Sequence, residues 1–270
     1  LIYSALAGTS LLVIMLTWQG FPYIETILVI YIGLQLFINR FKNQSTFHLF
    51  MITLVFTLVS FGAAYPVYGP SLHWYLTPLI LMLALLVLAL FFEITVRYPW
   101  TFLFPLAVLA IGIGLVAIYF LLPDLFKYIV TGQGYFIKTK LYSTIAEAQP
   151  AAMGSLIISI GVGVFFLALA GLGYILWRLR KNLNEVYLFI VIYTLVSIYM
   201  AISAARFIFN AAPAFALASS FFIDYLLLKL VQVEKKPKAK KWRERIKRVF
   251  SARNVVTLAI ALFVISPNDW

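Results

Sequence analysis

The chain has 270 residues, 64% of them hydrophobic and only 11% charged, and a formal net charge of +12. Its mean hydropathy is +1.00; soluble domains are about half apolar and a quarter charged, so the composition excludes a water-soluble globule and points to a membrane protein. There is no cysteine and there are two histidines, His48 and His73, which excludes disulfides, thiolate nucleophiles and cysteine zinc sites. A metal ion, if used, takes carboxylate ligands, which suits Mg2+ or Mn2+.

An apolar helix crosses the roughly 30 Å hydrocarbon core in about 17–25 residues. Runs of that kind fall at 1–17, 22–38, 47–64, 73–92, 101–122, 153–177, 186–203, 213–231 and 249–265. The last carries Arg253 and Asn254 in its first turns, where an arginine snorkels to the interface. The run 153–177 holds Gly154, Gly161 and Ala168 at seven-residue spacing, which predicts a smooth packing stripe, with a lipid groove as the functional alternative.

Arg40, Lys42, Arg97, Arg178, Arg180, Lys181 and Lys229 lie at alternate connections, and 235–253 adds more basic residues, so that 17 of the 21 Lys and Arg fall on one face. Only Lys127, Lys138, Lys140 and Arg206 fall on the other. The positive-inside rule makes the basic face cytoplasmic and places 18–21, 65–72, 123–152, 204–212 and 267–270 outside. Trp18, Tyr23, Tyr65, Tyr68, Trp74, Tyr75, Tyr128 and Tyr135 then gather at the external interface, as an aromatic belt does. The external loop 123–152 is longer than a compact connection needs, and its end reads Leu141-Tyr142-Ser143-Thr144-Ile145-Ala146-Glu147-Ala148-Gln149-Pro150.

Four features in these segments carry candidate chemistry. Thr144 to Glu147 fits a helix capping box, but a helix begun there puts Pro150 in its second turn, where the ring clashes with an earlier carbonyl. A helix starting at Pro150 is the alternative, which leaves Glu147 in extended loop, open to a ligand. Arg206, predicted at the external end of a span, is either an interfacial anchor or a bidentate phosphate contact. Asp224 lies within a span and reads as a coupling acid or as the partner of Lys229 or another basic residue. The basic stretch 235–248 reads as a cytoplasmic loop (232–253) facing anionic lipid, not as a nucleic-acid patch. Asn43-Gln44-Ser45 matches a glycosylation acceptor on the cytoplasmic face, where it is discounted.

Thr144-Ile145-Ala146-Glu147 resembles the T-I-x-E motif of single-subunit oligosaccharyltransferases, in particular the archaeal AglB type. Thr17-Trp18-Gln19-Gly20 after a span, Arg206-Phe207 followed by Pro213, and Pro267-Asn268-Asp269-Trp270 after a final run resemble the same proteins, in the same order. The resemblance implies an all-α polytopic fold, the later half of a GT-C type transmembrane domain with about nine helices and one long external loop. It implies that 1–270 is a transmembrane fragment, inactive alone, whose acidic N-terminal loops and soluble C-terminal domain lie elsewhere. It further implies transfer of a glycan from a dolichol-linked phosphate or pyrophosphate donor to Asn of Asn-x-Ser/Thr, at the extracellular face of a cell membrane. Glu147 is then the catalytic carboxylate or a ligand of Mg2+ or Mn2+. Thr144 and Ile145 shape the acceptor-peptide loop, and Arg206 meets the lipid phosphate. The partners implied are a lipid-linked oligosaccharide, the acceptor polypeptide and the bilayer, with no nucleic acid. Two other functions compete: a secondary transporter using Asp224, which needs internal repeats that the sequence does not display, and a protein mannosyltransferase of the same architecture. A membrane scaffold without catalysis is the third.

Overall fold

The computed structural model describes residues 1–18, 20–68, 73–131 and 149–234. These residues form helices and connecting turns, with no strand among them. Among the described residues seven helices are long and apolar enough to cross a membrane, which makes the chain a multi-pass membrane protein. The run 249–265 lies outside the described residues, as do Gln19, the basic stretch 235–248 and 267–270. Two compact units divide the chain, Leu1–Ile145 and Ala146–Trp270.

In the first unit, α1 (Ile2–Thr17) is followed by α2 (Pro22–Phe41), α3 (Phe47–Tyr68), α4 (His73–Ile94), α5 (Trp100–Leu121) and α6 (Pro123–Thr131). At 16 residues α1 is short for a span. It packs closely on α3 because its facing residues are small: Ser4 donates its hydroxyl to the Ile52 carbonyl. A Cβ on Gly8 would approach the Phe56 carbonyl oxygen to 2.9 Å. Within α3 a π-bulge spans Leu58–Gly62, and the carbonyl of Phe61 in that bulge accepts the Tyr75 hydroxyl at 2.6 Å. Tyr68 donates to the Met15 carbonyl at 2.6 Å. Tyr23 and Tyr75 are buried at 4% and 0% exposure, so these two are core residues and not members of an interfacial belt; Trp18 and Tyr65 stay exposed.

At the other end of this unit the charges are structural. Arg40, predicted as a loop cation, is completely buried. It donates to the carbonyls of Thr95 and Tyr98 and, at 3.0 Å, to Asn43 Oδ1. Glu93 accepts from the Thr46 backbone N–H at 2.7 Å and from the Ser45 and Thr46 hydroxyls. It thereby supplies the N-terminal cap of α3 from a neighbouring helix, satisfying donors that a helix start leaves open.

In the second unit, α7 (Met153–Ile160) and α8 (Val162–Lys181) are two helices and not the single one expected over 153–177. Gly161 separates them with φ 92° and ψ 127°, a backbone that glycine adopts without Cβ strain. The expected stripe is accordingly broken: nothing lies within 4 Å of a Cβ built on Gly154. The close approach is made instead at Gly171, where a Cβ would come within 1.9 Å of the Ala218 carbonyl oxygen on α10 (Ile208–Glu234). The helix α9 (Glu185–Ser203) lies between α8 and α10 in sequence, its N-terminus capped by Asn184, whose Oδ1 accepts from Val186 N–H at 2.9 Å. Phe165 stacks on Phe215 at 5.6 Å and Tyr174 meets Tyr225 at 4.5 Å. Contacts that advance together along both chains mean that α8 and α10 run parallel.

Candidate functional site

Thr144, Ile145 and Glu147 lie outside the described residues, and the structure takes up the chain again at Gln149. From there to Ala152 the backbone is non-helical. No helix starts at Pro150; the next begins at Met153, with Ala152 at φ −63°, ψ 142° before it. The reason is a pairing made by the main chain. The Gln149 carbonyl accepts from Ala205 N–H at 3.0 Å, and Ala151 N–H donates to the Ile202 carbonyl at 3.2 Å. Both partners belong to the break between α9 and α10, where a helix end offers an unused carbonyl and a helix start an unused N–H. The two segments run past each other in opposite directions.

That break is built around Ala204. It is fully buried, with extended φ −152° and ψ 127°, and it ends α9. A single 3-10 turn over Ala205–Phe207 follows, and α10 begins at Ile208. Phe207 and Ile208 are buried in the core of the unit, which fixes the turn. Arg206, one residue earlier, is exposed, and its guanidinium carbon lies 5.2 Å from the centre of the Phe207 ring. The expected start of the last described span at Pro213 is therefore too late, because Pro213 sits inside α10. Arg206 stands just ahead of a helix of 27 residues, at the end where the peptide dipoles leave partial positive charge. A guanidinium beside such an end is suited to hold the oxygens of a phosphate.

Trp18 closes α1 in an extended conformation, φ −142° and ψ 117°. Its ring lies over Gly20 so closely that a Cβ there would meet ring carbon Cζ2 at 2.2 Å. The glycine two residues after the tryptophan is thus the seat of the indole.

Asp224 is exposed on α10, and the expected pairing with Lys229 is not formed: the Lys229 ammonium lies 5.1 Å over the Tyr225 ring. An acid that sequence reasoning passed over is Glu25, in the first turn of α2. It is 2% exposed, and its Oε1 has no hydrogen-bond partner among the described residues. The rule that flagged Asp224, an acid inside an apolar run, applies equally to Glu25. Among the described residues no group of three or more His, Asp or Glu side chains is placed to hold a metal ion. The described part of the site does not fit Mg2+ or Mn2+ by itself.

The fold and this junction define a class: a polytopic helical membrane protein in which a loop end is paired with a helix break carrying an arginine. Among solved structures the chain is similar to the apo oligosaccharyltransferase of Archaeoglobus fulgidus, with a TM-score of 0.75 and 19% identity over 99% of this chain and 33% of that one. It is also similar to the same archaeal enzyme, AglB, in complex with an inhibitory peptide and a dolichol-phosphate, with a TM-score of 0.73 and 18% identity. A form tethered to an acceptor peptide containing the NVT sequon gives a TM-score of 0.70 and 18% identity. The chain has the fold of the transmembrane region of that enzyme and spans about a third of its length. No family model matches the sequence, and no curated protein matches it.

Proposed function

We propose that this chain is the later membrane portion of an oligosaccharyltransferase. The complete protein transfers a glycan from a dolichol-linked donor to the Asn side chain of an Asn-x-Ser/Thr acceptor. The observation that carries the reading is the backbone pairing of Gln149 and Ala151 with Ala205 and Ile202. Glu147 precedes Gln149 by two residues, so bond geometry keeps their Cα atoms within about 8 Å. Gln149 is hydrogen-bonded to the neighbour of Arg206. This reading puts the Glu147 carboxylate and the Arg206 guanidinium, from segments far apart in sequence, at one end of one unit. The AglB neighbours that hold a peptide, a sequon and a dolichol-phosphate support the same assignment of substrates.

The chemistry divides between these two residues. An amide nitrogen is a poor nucleophile because its lone pair is delocalised into the carbonyl. Glu147 accepts the N–H hydrogen bonds of the acceptor amide, orienting it and weakening that delocalisation. As the new C–N bond forms at the anomeric carbon, the nitrogen gives up one N–H proton by way of the Glu147 carboxylate, and the C–O bond to phosphate breaks with its electron pair leaving on the phosphate oxygen. Arg206 stabilises that charge. Thr144 and Ile145 form the wall against the peptide. Glu147 as one ligand of Mg2+ or Mn2+ remains part of the proposal, its companion ligands supplied from outside this chain. The active face is extracellular, on the side opposite the basic loops.

The test is glycopeptide formation by the full-length protein with Glu147→Ala. Loss of at least about a hundredfold in rate is expected, equivalent to about 2.7 kcal/mol of transition-state stabilisation. An unchanged rate overturns the reading.

A further inference from the structure

At the end of the second unit away from Arg206, the parallel course of α8 and α10 brings their C-terminal turns together. Three cations gather there, each seated on an aromatic ring. Arg178 donates from Nε to the Tyr174 hydroxyl at 2.8 Å and lies 5.5 Å over the same ring. The Lys181 ammonium lies 4.0 Å over Trp177, and that of Lys229 lies 5.1 Å over Tyr225. The rings themselves are joined: Tyr174 is 4.5 Å from Tyr225 and 6.1 Å from Trp177. All three cations are exposed, and none is ion-paired among the described residues. The acids in the neighbouring sequence are Asp224, exposed, and Glu234 on α10, and Glu185 in the first turn of α9.

The geometry points to a binding site for the phosphodiester headgroup of an anionic phospholipid, formed by Arg178, Lys181 and Lys229 on the Tyr174–Trp177–Tyr225 platform. Aromatic rings at the end of a membrane span sit at headgroup depth, which sets the cations level with lipid phosphates. Cation–ring contacts hold each long side chain in place without neutralising it, so its charge stays available. A planar guanidinium tied to a tyrosine hydroxyl through Nε keeps its two terminal amines for phosphate oxygens. A diffuse basic surface would not need this joined platform. The site is separate from Arg206 and does not rest on the proposed transfer reaction.

Electron spin resonance on the full-length protein in mixed vesicles tests the site, using nitroxide-labelled phosphatidylglycerol and phosphatidylcholine as probes. The wild type is expected to immobilise the phosphatidylglycerol label in preference. R178Q/K181Q/K229Q should lower that preference at least threefold, and Tyr174→Phe, which frees Arg178 without changing charge, should lower it measurably. R97Q/R180Q/K42Q, with the same loss of charge, should leave it intact. Gel filtration and thermal unfolding identify any variant that fails to fold, and Arg178→Lys then serves as the milder replacement. Equal loss in both triple variants overturns the proposal in favour of diffuse surface charge. Displacement of the label by millimolar inorganic phosphate overturns the lipid assignment.

Discussion

Gly171 is the residue with least room to change. A Cβ there would approach the Ala218 carbonyl to 1.9 Å, and a backbone atom cannot swing aside as a side chain does. Gly171→Ala is expected to force α8 and α10 apart and cost about 1–3 kcal/mol, the usual penalty for overpacking. Thermal unfolding in detergent measures it, and an unshifted midpoint would mean the crossing relaxes freely. Arg40 is the counterpart in the first unit. Its guanidinium bonds carbonyls of Thr95 and Tyr98 from a fully buried position. Arg40→Met removes charge-assisted bonds of about 1.5–3 kcal/mol each and leaves those carbonyls bare. Arg40→Lys should rescue it only in part, because an ammonium lacks the forked geometry.

How far the sequence could be read also depends on particular residues. The apolar runs were legible because a bilayer demands them, and the described span bounds differ from expectation at the ends and at Gly161, which parts the run 153–177 in its interior. What the sequence concealed was the state of individual polar groups. Arg40 and Arg97 look alike as loop cations, yet Arg40 is buried and donates to carbonyls of a segment more than fifty residues away. Glu25 and Asp224 both fall in apolar runs, and only the packing distinguishes a buried acid from an exposed one. Arg206 was legible as a candidate from its predicted place on the sparsely charged face, and the structure adds the turn that presents it. Thr144, Ile145 and Glu147 rest on motif resemblance.

Helix punctuation obeys different rules in these elements than in a water-soluble fold. Pro78, Pro105 and Pro213 each lie inside a helix, as does Pro66 in α3. Membrane helices tolerate this because neighbours and hydroxyl side chains re-satisfy the freed groups. The clash argument against a helix running through Pro150 was therefore weaker than it looked. Pro150 is non-helical because the main chain on either side of it is hydrogen-bonded elsewhere. Glycine is the sharper breaker: Gly161 at φ 92° parts α7 from α8. Gly161→Ala should destabilise by somewhat more than about 1 kcal/mol, since alanine resists positive φ. A lower unfolding midpoint checks this, and its absence would indicate that the two helices merge.

For the molecule as a whole, the charge pattern predicts a topology that is open to direct assay. These 270 residues hold no cysteine, so no thiol within them competes with a single introduced one. Gln44→Cys and Asn182→Cys are expected to react with a membrane-impermeant maleimide only after the cytoplasmic face is opened. Lys127→Cys is expected to react in intact cells. Reaction of all three from one side would refute the alternating arrangement.

The junction at Gln149 also carries a statement about time. Its partner Ala205 is made 56 residues later, as the numbering fixes. Between them α7, α8 and α9 must leave the ribosome and enter the bilayer, and only then does the Ala205 N–H exist to donate to the Gln149 carbonyl. Until that moment the end of the loop has no anchor. A nascent chain halted before Ala205 should leave the sequence around Gln149 open to protease, and one halted well beyond α10 should close it. The ribosome thus sets the earliest instant at which Gln149 can be tied to the turn that carries Arg206.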